Sequence, residues 1–297
     1  MATLVITVPY GGLFVPPMIK RLLGLGDQEL GWENFRLADP LLLGIAADAC
    51  QGTELTGFMG KKPLPERTLV SYAYSPLVSD PLGFLACQLS GEEHSFPKFI
   101  KEGATGKAFP ALGPKEAEAI LAKSAKPFLA ELDKRCSQAL ESESLVLLLM
   151  LRSHGSKPLN HEFDRRYPRP QVCVGSHQGG KTPPGLAAFI GRTFRMFGLW
   201  PEPDWPNPGA FVPDGLQQSP RLLSAGISFR RDLYMDESTG KGTRGQKSLV
   251  RVLRTVFSLL EDELESVLRI RYRRKHPPKP PSMVLKAPAA PGGGGRG

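Results

Sequence analysis

The densest set of chemically capable side chains lies in GISFRRDLYMDE, residues 226–237. There an apolar strand ending at Phe229 breaks into a loop carrying Arg230, Arg231, Tyr234, Asp236 and Glu237. Two guanidinium groups, a phenol and three carboxylates, counting Asp232, do not ordinarily leave one strand end together. A second set, Arg152, Ser153 and His154, follows the apolar run 145–151. His154, His161 and His177 lie within a short stretch, and Glu162 or Asp164 could join them as a zinc-type ligand set. Ser153 or Cys173 beside His154 would instead give a nucleophile and its base. Cys173 stands inside an apolar run, where an inert thiol is the expectation. His94, in a Gly-, Ser- and Pro-rich segment, is expected to be a solvated loop histidine. Gly179 and Gly180 before Lys181 and Thr182 lack the full spacing of a phosphate loop.

The elements that must position these groups follow from periodicity. TLVITV at 3–8 reads as a buried strand stopped by Pro9 and the pair Gly11 and Gly12. Residues 32–50 space Leu37, Leu41, Ile45 and Ala49 along one helical face. Residues 68–74 alternate like a strand, and 77–109 reads as a loop with short elements, a lid over a pocket. A long helix is expected over 114–141, opened by Pro114 and carrying Leu121, Ala125, Phe128, Leu132, Cys136 and Ala139. The run 145–151 is apolar at every position, which implies a central strand covered on both faces. Strands at 171–176 and 222–229 and helices at 184–197 and 246–268 complete the domain.

Taken in order, these motifs resemble the N-formylglutamate amidohydrolase family. Arg231, Leu233, Tyr234, Met235, Asp236 and Glu237 match that family's closing pattern, in which a strand Q-I-E-I-N-R precedes leucine, tyrosine, methionine and an Asp-Glu pair. The loop PYGGLFVPP stands where the family has V-P-H-S-G, and RSHGS stands where it has D-x-H-S. The resemblance implies an α/β three-layer sandwich like that of the zinc carboxypeptidases and phosphorylase/hydrolase folds. Such a fold has a mixed, mostly parallel twisted sheet, helices on both faces and a site at the carboxyl ends of the strands. It spans residues 1–268 and implies metal-assisted hydrolysis of an amide.

Carried over residue by residue, the chemistry is depleted. Tyr10 occupies the place of a metal-binding histidine, and reads either as a phenol ligand or as an aromatic plug over the pocket. Ala73 and Tyr74 replace the Asn-Arg pair that grips the substrate carboxylate. Arg152 replaces an aspartate beside the metal. Ser228 replaces the catalytic glutamate, and a serine hydroxyl does not titrate near neutral pH. His154 keeps the type of a metal ligand, and Arg231 is also kept. Asp39 matches a family aspartate, and reads either as a pocket residue or as a carboxylate favouring a helix N-terminus. By this carry-over the substrate-binding set is Tyr10, Asp39, Tyr74, Arg231 and Tyr234. The expectation is a catalytically degenerate family member acting as a binding or scaffold protein with an unidentified protein partner. Zinc or another divalent metal is expected only if the site is active. The alternative is an active metal-dependent hydrolase of an N-acyl amino acid or related amide.

The chain has 297 residues, 41% of them apolar, and a formal net charge of +9. Residues 269–297 hold eight of the basic residues and no acid, leaving +1 for everything before them. The basicity therefore belongs to a Pro- and Gly-rich tail expected to be disordered. Its cluster Arg269, Arg271, Arg273, Arg274 and Lys275 could touch RNA or acidic surfaces, a second alternative for function. Four separated cysteines (Cys50, Cys87, Cys136 and Cys173) make no CxxC pair and suggest free thiols in a reducing compartment. With no leader-like start and no apolar run near the ~20 residues of a membrane span, a cytoplasmic location is expected.

Overall fold

The computed structural model describes residues 3–51, 54–57, 60–63, 67–84, 99–159, 162, 164–176 and 182–275. Strands β1 (Thr3–Val8), β4 (Thr68–Ser71), β5 (Val146–His154), β6 (Val172–Gly175), β7 (Pro201–Pro203) and β8 (Leu222–Arg230) form one sheet in the order β4-β1-β5-β8-β6-β7. β2 (Glu54–Gly57) and β3 (Gly60–Pro63) pair separately as an antiparallel hairpin. β4, β1, β5 and β8 are mutually parallel, while β6 runs antiparallel to β8 and parallel to β7. The link from β5 to β6 contains no helix among the described residues, so the chain turns back at the same sheet end rather than crossing over. This is the mixed, mostly parallel α/β fold that the residue patterns imply.

Period-two alternation sends the central strands' side chains to two cores. On one face Leu4, Ile6, Leu147, Leu149, Leu151, Ile227 and Phe229 pack against α3 (Pro40–Cys50), α6 (Pro184–Met196) and α7 (Gly245–Lys275). On the other, Val5, Leu148 and Met150 meet Phe128, Leu132 and Cys136 of α5 (Ala125–Ser142). Each fully buried Leu in these layers is worth about 1.5–3 kcal/mol. A third cluster gathers Ile19 and Leu23 of α1 (Pro17–Leu23), Leu37 of α2 (Asp27–Leu37), Leu77, Val78 and Ile120 of α4 (Pro114–Lys123).

Two expected helices are each divided. The 32–50 pattern breaks at Asp39, because Pro40 cannot donate its backbone N–H inside a helix and instead opens α3 at its first position. The 114–141 pattern breaks at Ser124, whose backbone leaves the helical region at φ −116° and ψ −83°. Residues 77–84 are irregular chain, with Val78, Ser79, Asp80 and Leu82 buried. Of the rest of the expected lid, 99–109 is described and holds the buried Ile100 and Ala104, while 85–98 lies outside the described residues, as do His94, His161 and His177. α7 continues to Lys275, past the expected domain end at 268, and residues 276–297 of the expected tail lie outside the described residues. Among the described residues no helix is long and apolar enough to cross a membrane.

Candidate functional site

The strand ends of β5 and β8 hold the chemistry. Register pairs Arg152 with Ser228 and His154 with Arg230, while β6 pairs Cys173 with Ser228 from the other side. The loop 204–213 then crosses this end of the sheet at van der Waals contact. A Cβ at Gly226 would sit 2.2 Å from the Gly209 carbonyl oxygen, and one at Gly175 would sit 2.5 Å from it. Only glycine at both strand positions lets the loop deliver Asn207 and its carbonyl to the site.

His154 is 2% exposed and sits in a closed chain of hydrogen bonds. Its Nε2 lies 3.0 Å from the Pro170 carbonyl oxygen. A carbonyl can only accept, so Nε2 carries the proton and Nδ1 holds the free lone pair. That lone pair faces Ser228 Oγ at 2.9 Å, and Asn207 Nδ2 donates to the same oxygen at 2.7 Å. The hydroxyl receives from Asn207 and donates to Nδ1. Burial, helped by the positive field of Arg169, Arg230 and Arg231, pushes the imidazole pKa down to about 3. Such a ring is neutral at pH 7 and is a poor base, and its Ser228 partner is 1% exposed.

Beside it, Arg152 is 4% exposed. Its Nη2 donates to the carbonyls of Asn207 and Gly209 at 3.2 and 3.1 Å, and its guanidinium lies 4.5 Å above the ring centre of Phe84. Its Nε is buried without an acceptor. Burial lowers its pKa, opposed by Tyr10, Cys173 and Asp80. Tyr10 donates to Asp80 Oδ1 at 2.8 Å, and that oxygen also accepts from the backbone N–H of Leu82 and Gly83.

Arg231, Tyr234 and Asp39 form a different assembly. Arg231 donates to the Phe35, Arg36 and Ala38 carbonyls at the end of α2 and to Ser153 Oγ. Its Nε is 3.7 Å from Asp39 Oδ2. The buried Tyr234 hydroxyl donates to the same carboxylate oxygen, while Asp39 Oδ1 caps α3 by accepting from Leu42 N–H at 2.8 Å. Burial and the Asp39 charge hold the Tyr234 phenol well above its usual pKa. Asp39 thus serves as a helix cap within a clamp that ties β8 to the α2–α3 junction.

A cavity of about 70 Å³ opens between these assemblies, lined on its polar side by Tyr10, Arg36, Arg152, Ser153, Lys157 and Arg231. His154, Glu162, Asn207 and Glu237 also reach it. Tyr74, Ser228, Asp39 and Tyr234 do not line it. Tyr74 stacks with Phe14 and Tyr72, 5.3 and 5.8 Å between ring centres. Both carboxylates proposed as metal partners are taken by arginines, Glu162 by the buried Arg169 and Asp164 by Arg166. Among the described residues no group of three His, Cys, Asp or Glu side chains is arranged to hold a metal ion. The Cys173 thiol, pushed up to about 12 by burial, lies 3.3 Å from the Asn207 carbonyl and is not a nucleophile.

Asp80 and Asn207 are site residues that motif reading missed. Asp80 carried a signal, since Asp-Pro before Gly83 is turn chemistry that buries the carboxylate on its own backbone. Asn207 carried none beyond its place between two prolines.

No protein-family model matches the chain, and no curated protein does. Solved structures do. The N-formylglutamate amidohydrolase from Ralstonia eutropha JMP134 superposes with a TM-score of 0.66 at 19% identity, over 91% of this chain and 95% of that one. Gene product Atu2144 from Agrobacterium tumefaciens gives 0.56 at 16% identity, over 91% and 92%. At these identities the likeness establishes a shared fold.

Proposed function

We propose that this chain uses a hydrolase-like α/β scaffold to bind a ligand or partner, and that the metal-dependent hydrolysis its motifs resemble has been lost. The observation that carries this reading is the state of His154. Its Nε2 proton is given to a backbone carbonyl and its Nδ1 lone pair faces a serine hydroxyl, so neither nitrogen is free to meet a metal. The residues present do not fit a divalent cation in other respects. A buried guanidinium stands where a carboxylate would be needed, and a positive charge there opposes a cation. Ser228 supplies no base in place of the glutamate, and Tyr10 commits its hydroxyl to Asp80.

The test is hydrolysis of N-formyl and N-acetyl amino acids by purified protein, with and without added zinc, alongside elemental mass spectrometry after dialysis against a weak chelator. The reading expects no turnover above buffer and less than stoichiometric metal. Zinc-dependent turnover abolished by His154→Ala would establish the alternative, an active hydrolase.

A further inference from the structure

We infer that the cavity beside Arg152 is a binding site for a small oxyanion, either free or as the carboxylate or phosphate head of a larger molecule. This rests on the binding-protein reading above and gives it a ligand class.

Three observations converge. First, Arg152 is a buried cation with an unused donor. Its described hydrogen bonds go only to neutral carbonyls, and Nε has no acceptor although the residue is almost wholly enclosed and lines the cavity. Asp80 acts on it electrostatically, but the Asp80 Oδ1 accepts from Tyr10, Leu82 and Gly83, and a buried charge without a direct ionic partner is expensive. The face of its guanidinium is covered by Phe84, which leaves its edge for recognition.

Second, the lining is cationic once internal pairs are removed. Arg36, Arg152, Lys157 and Arg231 face the cavity against Glu162 and Glu237. Glu162 is held by the buried Arg169, which offsets its charge, and Glu237 accepts from Ser156 N–H through both oxygens at 2.8 and 3.1 Å. Arg231 has Asp39 nearby at 3.7 Å, whereas Lys157 is exposed at the rim. An anion entering from solvent meets Lys157 and Arg36 before it reaches Arg152.

Third, size fits. A cavity of about 70 Å³ admits a group of a few heavy atoms, since one water needs roughly 10–15 Å³ on the same measure. The Ser153 hydroxyl at the wall adds a neutral donor that a carboxylate or phosphate can use. A cation of similar size would meet guanidinium and ammonium groups instead.

The experiment observes the Arg152 Nε–H directly by nitrogen-15 NMR of the full chain at low ionic strength. Inorganic phosphate, acetate and zinc are titrated separately, with the resonance assigned by its loss in Arg152→Lys. The expected result is a saturable shift of that resonance with phosphate or acetate. Calorimetric affinity should fall at least about tenfold in Arg152→Lys, which keeps the charge but loses the planar fork. Lys157→Ala, at the exposed rim, should weaken binding about two- to fivefold and reduce its salt dependence. Saturation by phosphate alone points to a phosphorylated ligand, and by acetate alone to a carboxylate; either supports the site. No shift with either anion up to tens of millimolar overturns the inference while leaving the binding-protein reading standing. A stoichiometric response to zinc overturns both.

Discussion

Arg152 and Arg231 are both buried arginines lining one cavity, and they are used in opposite ways. Arg231 spends its donors on three helix-end carbonyls and a serine hydroxyl and lies within 3.7 Å of a carboxylate. Arg152 reaches two loop carbonyls, stacks on Phe84 and leaves Nε without an acceptor. The difference separates scaffold from site. A buried cation beside a carboxylate holds elements together, and one that meets only neutral acceptors is the candidate for a ligand. In the motif most visible in the chain, LYMDE with its preceding Arg231, the Arg231 and Tyr234 side chains tie elements together, while Glu237 reaches the cavity.

The largest expected effect falls on the scaffold arginine. Arg231→Met should destabilise the protein by about 3–5 kcal/mol in urea unfolding, because it orphans the α2 carbonyls and strips Asp39 of its nearest cation. A loss below about 1 kcal/mol would erase the contrast between the two arginines.

The next effect sharpens the neutral state of His154. Folded, its pKa is held near 3, and unfolded it returns to about 6.5, so the unfolded chain takes up the proton first as pH falls. The stabilisation is fully present above about pH 6.5 and drains away below it, by about 1.4 kcal/mol per pH unit for this group alone. Unfolding free energies measured from pH 7 to pH 4 should fall more steeply in wild type than in His154→Gln by that slope. Parallel slopes would mean a histidine that titrates normally.

Smaller again is Ser228→Ala. It leaves His154 Nδ1 and the Asn207 amide without their shared hydroxyl and should cost about 1–3 kcal/mol, with no change in any hydrolytic background. The smallest change is the most telling. Arg152→Met should fall within about 1 kcal/mol of wild type or be more stable, since replacing an under-compensated buried charge with apolar volume removes its desolvation penalty.

How much of this was legible depends on the range of the interactions involved. The all-apolar run through Leu147, Leu149 and Leu151 declares a doubly covered strand, because burial on two faces leaves its mark in one local stretch. The strand ends carrying His154 and Ser228 were likewise placed by local pattern. The helix start at Pro40 was hidden, because the apolar spacing across it reads as one continuous helix over 32–50. What local pattern does not encode is who meets whom. Asp39 and Tyr234 are 195 positions apart, and Asp80 and Tyr10 are 70 apart. Both contacts exist because separate strand ends converge, so the Asp39 carboxylate could be a pocket group or a helix cap until the chain was folded. Asn207 lies in a Pro-rich loop with no periodicity, and its role depends on Gly175 and Gly226 leaving room for the loop.

The central claim is that His154 is a structural residue whose nitrogens are both committed. It is tested most directly by nitrogen-15 NMR of the imidazole during a zinc titration at pH 7. The account predicts a single tautomer with the proton on Nε2, unchanged by one equivalent of zinc. Loss of the Nε2 proton, or a shift of Nδ1 that saturates at one zinc per chain, would contradict it and return the site to metal chemistry.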